Sequence, residues 1–422
     1  MENSLLSSRN SRKRYFRFSS LAFVVLCFYM AVSVLSYTEF FPSVLVSLSL
    51  YGFVVLGAVT LAIYKKPKYS EKYLWFVMFV GLCAFSCIYS VNRNVSLTAT
   101  FSMVKVLVFS FVMYNIVDCK ERLEKVLMIN SGSATLLILY LMYTGELFVK
   151  DERLGNELTG NANILATILM FAAFSSVYFV SFSVKRIGKI VFTVSFLLQL
   201  FALSLTGSRK FFILPILLLC AMIILNSYDK KKRHLFFKII VAGLIFVGVF
   251  WLIINIDFFY NYIGYRMETF FNFLRGEGKV DASTLIRQVL IDHAIAFWKQ
   301  SPIIGNGLDT FKVMSSYGIY SHNNYVELLC NLGIVGVIVY YSYFIYLIIR
   351  LFKIKTHNSI KWYWLIIVVC MAIFDVGGVS YNIFQIHIML VLVDLYVKKP
   401  EEFTVKKHYI YTKKRRRGNE FN

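Results

Sequence analysis

Residues 302–336 read PIIGNGLDTFKVMSSYGIYSHNNYVELLCNLGIVG. Gly305-Asn306-Gly307 has the composition of a tight turn. Ser321-His322-Asn323-Asn324 is a polar cluster of helix-capping residue types. A mostly apolar run then extends from 324 to about 349, long enough to cross a hydrocarbon core of about 30 Å. A turn-rich polar segment therefore hands over to a membrane span, and the fold depends on how many such spans the chain holds.

The whole chain answers in kind. It is 58% hydrophobic with a mean hydropathy of +0.64 over 422 residues, against roughly 45–50% apolar in soluble domains. The apolar runs lack the period-two alternation of barrel strands, so the spans are helices and the fold is all-α, a polytopic helical bundle. Twelve spans are expected, near 18–37, 43–64, 73–90, 97–117, 126–143, 162–183, 190–207, 211–227, 235–256, 324–349, 362–379 and 382–397. The first is too long, and Tyr37-Thr38-Glu39 too bulky, for a cleavable signal peptide. The expected organisation is an N-terminal tail (1–17), nine helices (18–256), an extracytoplasmic helical loop (257–323), three helices (324–397) and a basic tail (398–422).

A net charge of +22 raises nucleic acid as a partner, but its distribution argues for a lipid bilayer instead. With both termini cytoplasmic, 33 of the 45 Lys and Arg fall on the inner side, 11 on the outer side, and Lys105 within a span. This asymmetry follows the positive-inside rule. The tail from Lys413 to Arg417 reads as a cytoplasmic anchor near anionic lipid. All seven cysteines lie in or beside spans or in an inner loop, so no disulfide framework is indicated, and no His/Cys/carboxylate group has metal-ligand spacing.

The loop 257–323 carries helical pattern. An aromatic stripe through Phe258, Phe259, Tyr262, Tyr265, Phe270, Phe273 and Leu274 suits a helix lying in the membrane interface. Gly276-Glu277-Gly278 breaks it. Asp281 or Ser283 can cap a second helix over 284–300, which ends before Pro302.

Outer basic residues are scarce, so each one counts. Arg209 sits between the seventh and eighth spans, Arg287 on the second loop helix, Arg266 and Arg275 on the aromatic one, and Arg153 in the polar loop after the fifth span. An arginine fork holds phosphate oxygens bidentately and stays charged in a half-dry site; the competing reading is interfacial snorkelling. His322 opens the tenth span between Ser321 and Asn323-Asn324. A neutral imidazole there can take a proton from a hydroxyl, with an ordinary value near 6.5 suited to that work, and the competing reading is helix capping. His322 and Arg209 share one membrane face, a placement suited to a membrane-anchored anionic substrate. Lys105, Asp375 and Asp394 fall within spans, where a proton-coupled transporter would need a relay and a structural bundle would need only pairing.

The segment from Arg287 through Trp298, Pro302, Gly305-Asn306-Gly307, Phe311, His322-Asn323-Asn324-Tyr325-Val326-Glu327-Leu328 and Gly333-Ile334-Val335-Gly336 resembles the O-antigen ligase and polysaccharide repeat-unit polymerase superfamily. Ser208-Arg209 at a span junction is similar to that family's other hallmark, as is Arg153-Leu154-Gly155 followed by Gly160-Asn161-Ala162-Asn163, although Ala162 stands where proline is often found. The resemblance implies a membrane-embedded, metal-independent glycosyltransferase of the GT-C type that needs no cofactor. Its donor is an undecaprenyl-diphosphate-linked oligosaccharide. Carried over by position, Arg209 and Arg287 meet the diphosphate, with Arg266 and Arg153 beside them. His322 acts on the acceptor, supported by Ser208, Asn323 and Asn324. The flippase and chain-length regulator of the same pathway are the protein partners this implies.

A polymerase passes the chain to another lipid-linked repeat unit, a ligase to a terminal acceptor such as lipid A–core. The Lys- and Phe-rich composition looks like a low-GC organism, where lipid A is absent, and this favours the polymerase of a capsule, exopolysaccharide or O-antigen. The setting is the outer face of a bacterial cytoplasmic membrane. A flippase for lipid-linked sugars fits twelve spans, but transport sites lie near the midplane and the outer loop motifs do not.

Overall fold

The computed structural model describes residues 2–64, 67–148, 153–183, 185–225, 233–276, 282–355 and 359–403. The tail beyond 403, the loop 226–232 and the candidate cap Asp281 lie outside them. The regular elements among the described residues are all helices, without strands.

In chain order, five long helices come first: α1 (Glu2–Leu35), α2 (Val44–Tyr64), α3 (Glu71–Tyr89), α4 (Arg93–Ile116) and α5 (Lys120–Thr144). A single turn, α6 (Asn156–Thr159), precedes α7 (Ala162–Phe182), α8 (Arg186–Leu205), α9 (Arg209–Leu225) and α10 (Arg233–Asn255). The outer loop holds α11 (Asp257–Phe259), a π-helical turn (Tyr260–Gly264), α12 (Tyr265–Arg275), α13 (Ala282–Gln300) and the turn α14 (Phe311–Met314). The chain closes with α15 (Asn324–Lys353), α16 (Ile360–Phe374) and α17 (Phe384–Lys398). Ten of these helices are long and apolar enough to cross a membrane. α9 and α17 stand where the eighth and twelfth spans are expected but are shorter, at 17 and 15 residues. Ser283 lies inside α13 rather than capping it.

α7 is the axis of the bundle, packing against α5, α8, α9 and α16. Small residues along it, from Ala166 to Ser176, are buried and let its neighbours approach closely. Where α5, α7 and α8 meet, Gln199 Nε2 donates to Ser131 O at 3.1 Å and to Thr135 Oγ1 at 3.0 Å, and its Oε1 accepts from Ser176 Oγ at 2.8 Å. A buried amide is thereby satisfied on both ends. The charges within spans form no chain across the bundle: Lys105 is exposed, Asp375 is buried at the end of α16, and Asp394 is buried near the other end of α17 beside Lys72.

The motif 302–336 builds the feature that positions the outer loop. α15 is interrupted at Gly333, whose φ of 65° and ψ of −167° are non-helical. The freed backbone groups are taken by the preceding loop. Asn306 N and Gly307 N donate to Cys330 O and Asn331 O at 3.0 and 2.9 Å, while Ile334 N and Val335 N donate to Pro302 O and Ile303 O at 3.0 and 3.2 Å. This closeness needs glycine on both sides. A Cβ at Gly333 would lie 2.2 Å from Ile303 O, and one at Gly305 would lie 2.4 Å from the Asn331 carbonyl carbon. Leu290 and Ala294 of α13, with Phe311 and Cys330, make a second small core beneath the loop. α13 is thus docked on the N-terminal half of α15.

Gly333→Ala should therefore destabilise the fold. A left-handed residue gains a Cβ against backbone that cannot yield, a penalty of about 2–4 kcal/mol when strain and lost hydrogen bonds combine. Gly243→Ala on α10, where a Cβ meets nothing within 4 Å, should be neutral or slightly stabilising. Fluorescence-detected size-exclusion after a heat ramp in detergent compares them; equal melting of the two variants would remove the interlock from the account.

Candidate active site

His322 lies in the turn before α15. Asn323 is the N-cap, its Oδ1 accepting from Tyr325 N at 3.0 Å and Val326 N at 3.4 Å. Capping therefore falls to the neighbour. His322 itself takes a φ of 58°, a left-handed conformation that costs a non-glycine residue free energy and persists only where its surroundings hold it. Glu327, fully buried one turn into α15, supplies that hold: its carboxylate accepts from Ser321 N at 2.7 Å and from Asn331 Nδ2 at 3.1 Å. Ser321 Oγ donates to Asn323 O at 2.9 Å. The turn is tied on both sides of the histidine, whose ring packs on Tyr320 with centroids 4.4 Å apart.

The imidazole lines a cavity of about 360 Å³ together with Tyr320, Lys210, Asn163 and Asn382, with apolar walls from Ile164, Ile168, Phe211 and Phe374. This combination suits a ligand with an apolar body and few polar groups. Lys210 Nζ donates to Phe374 O at 3.0 Å and lies over the Phe374 ring, 4.3 Å from its centroid. Among the described residues no Asp or Glu lines this cavity, although Asp375, buried at the end of α16, acts on Lys210. Arg287 is not part of its lining, but its charge acts on His322. Burial first, then Arg287 and Lys210, push the imidazole from its ordinary 6.5 down to about 4. The unperturbed value expected from the sequence does not hold. The ring is neutral at physiological pH and a weaker base than a free imidazole.

The other residues singled out from sequence separate into two groups. Arg153 Nε donates to Thr206 O at 2.7 Å, and its guanidinium reaches Ser208 Oγ at 2.8 Å and Asn163 Oδ1 at 3.3 Å. Ser208 Oγ donates to Asn163 Oδ1 at 2.7 Å. The Arg-Leu-Gly and Gly-Asn-Ala-Asn motifs and the α8–α9 turn thus form one network, which presents Asn163 to the cavity. Arg209 instead reaches the outer loop helices. It donates to Arg266 O at 2.6 Å and Thr284 Oγ1 at 3.0 Å and stacks over Phe270 at 5.1 Å. Arg266 lends its carbonyl to this tie, and its stem passes Gly207. Asn324 is buried: its Nδ2 donates to Tyr341 OH and Asp375 Oδ2 at 3.0 and 3.2 Å, and its Oδ1 accepts from Ser380 N at 3.0 Å. It bolts the α16–α17 loop to α15.

Residues 194–341 match the family model for O-antigen ligase. The match spans about a third of the chain and takes in Ser208, Arg209, Lys210, Arg287, His322 and the glycine interlock. It supports membership of the O-antigen ligase and polymerase superfamily, whose members are glycosyltransferase-like membrane enzymes. No curated protein matches the chain.

Two site residues had been passed over in the sequence. Lys210 stood next to Arg209 but carried no separate signal beyond being a cation at a span end. Glu327 could have been found as a carboxylate in an otherwise apolar run, where a charge needs a reason.

A pH prediction follows from the histidine. Above its folded value the ring is neutral and can accept a proton; below it the ring is charged and cannot. The acid limb of kcat/KM, which reports the free enzyme, should fall near pH 4 rather than near 6.5. A bound anion opposes the Arg287 and Lys210 charges and raises the value, so the limb of kcat should lie at higher pH. Arg287→Gln should move the free-enzyme value upward. Histidine ring NMR in detergent reads this directly; a value at 6.5 or above in the wild type would overturn the burial argument.

Proposed function

We propose that the chain is a polymerase of lipid-linked saccharide repeat units at the outer face of a bacterial cytoplasmic membrane, with both termini inside. The observation that carries this reading is the shared cavity of His322 and Lys210, under the charge of Arg287 and within the family-matched region. The donor is an oligosaccharide on undecaprenyl diphosphate. Lys210 and Arg287 offset the diphosphate charge and stabilise it as it leaves. The apolar walls take the start of the lipid chain. An acceptor hydroxyl on a second lipid-linked unit attacks the anomeric carbon, the bond to the diphosphate oxygen breaks, and the acceptor proton passes to an imidazole nitrogen of His322. With no carboxylate in the lining, a single displacement with inversion is the economical course. Fixed cations supply the charge that a metal would otherwise bring. Arg209 holds α12 and α13 over the site, with Arg266 and Thr284 as its anchors, and is a positioning residue.

The sidedness rests on the excess of inner Lys and Arg. The family model's own description names the ligase, so transfer to a terminal acceptor is the second reading; it uses the same donor and the same groups.

The test is transfer by purified protein in proteoliposomes, supplied with the lipid-linked oligosaccharide fraction of the source cells. A ladder of lengths on lipid marks a polymerase, and a single addition to a terminal acceptor marks a ligase. His322→Ala should lose roughly 10²–10⁴ in turnover, while donor binding survives. Arg287→Ala and Lys210→Ala should weaken donor binding, and Arg287→Lys should rescue poorly because a point charge does not replace a fork. Activity should persist in excess EDTA; loss that a divalent ion restores would count against a cation-only site. A wild-type preparation that consumes no lipid-linked oligosaccharide overturns the reading.

A further inference from the structure

Beside the His322 cavity is a second opening of about 420 Å³, and Asn382 lines both. Its other polar lining comes from Asn94, Thr98 and Ser102 on α4, from Asp309 and Lys312 on the loop 257–323, and from Tyr381 beside Asn382. The three α4 residues are spaced by four and share one helix face. Thr98 Oγ1 and Ser102 Oγ donate to the helix carbonyls of Asn94 and Thr98 at 2.9 and 3.2 Å, which leaves their oxygens as acceptors. Asp309 holds a φ of 62°, unusual for a non-glycine residue, and is ion-paired to Lys312. The chain just before it is fixed, since Leu308 O accepts from Ser96 Oγ at 2.8 Å and Leu308 N donates to Ser86 Oγ at 3.2 Å. The loop side of the opening is therefore anchored to α3 and α4.

We propose that this opening is the subsite for the acceptor saccharide. This rests on the transferase reading and extends it by assigning the acceptor a place. The chemistry separates the two cavities. The His322 cavity is lined by Lys210 under the influence of Arg287, with no carboxylate in the lining among the described residues, which suits a diphosphate. The second carries one cation balanced by one anion, together with amide and hydroxyl groups that both donate and accept. Such a lining matches a polyhydroxy ring rather than an anion. Val95 and Ala99 give it an apolar floor for the C–H faces of a sugar. Its volume lies within the range of small-molecule sites, and the shared Asn382 puts an acceptor held there next to the histidine that takes its proton.

The experiment measures binding to full-length protein in lipid nanodiscs by saturation-transfer NMR, with two probes used separately. One is the repeat-unit oligosaccharide freed from its lipid by mild acid; the other is undecaprenyl diphosphate. Thr98→Val and Asp309→Asn should each weaken the oligosaccharide roughly ten-fold or more and leave the lipid diphosphate within about two-fold. Asn tolerates the left-handed backbone at 309, and Asp309→Gly, which relieves it, should weaken the oligosaccharide as much. Arg287→Ala should show the reverse pattern. If the wild type binds no free oligosaccharide, or if binding survives both Thr98→Val and Asp309→Asn, the subsite is overturned while lipid diphosphate binding still supports the transferase. If the wild type binds the oligosaccharide but not undecaprenyl diphosphate, the transferase reading falls and the acceptor role falls with it.

Discussion

The packing of the 257–323 loop against α15 depends on one interruption. α15 breaks at Gly333, inside a span, where unpaired backbone N–H and C=O groups cost several kcal/mol each if left to hydrocarbon. Residues 302–307 run antiparallel to nothing and belong to no helix, yet four of their backbone groups close that gap. The exchange works in both directions: the loop repairs the helix, and the helix fixes the loop. Because Pro302 to Gly307 are held there, α13 before them and Asp309 after them have defined places. Gly305 and Gly333 are glycines for that reason, since a side chain on either would separate the two backbones.

The second constraint is the Glu327 carboxylate. Buried one helical turn beyond His322, it accepts from Ser321 N and Asn331 Nδ2, and Asn331 Oδ1 in turn accepts from Phe311 N at 3.1 Å. One network therefore joins the histidine turn, the broken helix and the loop that repairs it. A left-handed His322 stores strain in this network, and strained backbone of this kind is found where a side chain must be aimed.

The spans were legible because apolar runs of about twenty residues are a property of composition, which survives without knowledge of packing. Both loop helices were legible from aromatic spacing and from Pro302. The family resemblance, too, was read from the order of short motifs, and the match over 194–341 supports it. What each motif residue touches was another matter. Arg209 and Arg153 look alike in sequence, but one ties the outer helices and the other braces the α8–α9 turn. Asn323 and Asn324 are adjacent and identical, yet one caps a helix while the other is sealed against Asp375. Such differences follow from which way a side chain leaves the backbone, and periodicity does not carry that. Lys210 was hidden by its neighbour: it turns toward Phe374 and the cavity because successive residues on a helix diverge by about 100°.

The electrostatics then couple donor to chemistry under the transferase reading. Burial, then Arg287 and Lys210, hold the His322 imidazole neutral and weakly basic. A diphosphate brings negative charge into the same cavity, cancels much of the repulsion and makes a protonated ring tolerable. The base therefore gains strength when the donor arrives, and it loses strength again once the product lipid diphosphate departs. On that reading the Arg287 charge that meets the donor also sets the proton affinity of the base, so the two functions are coupled.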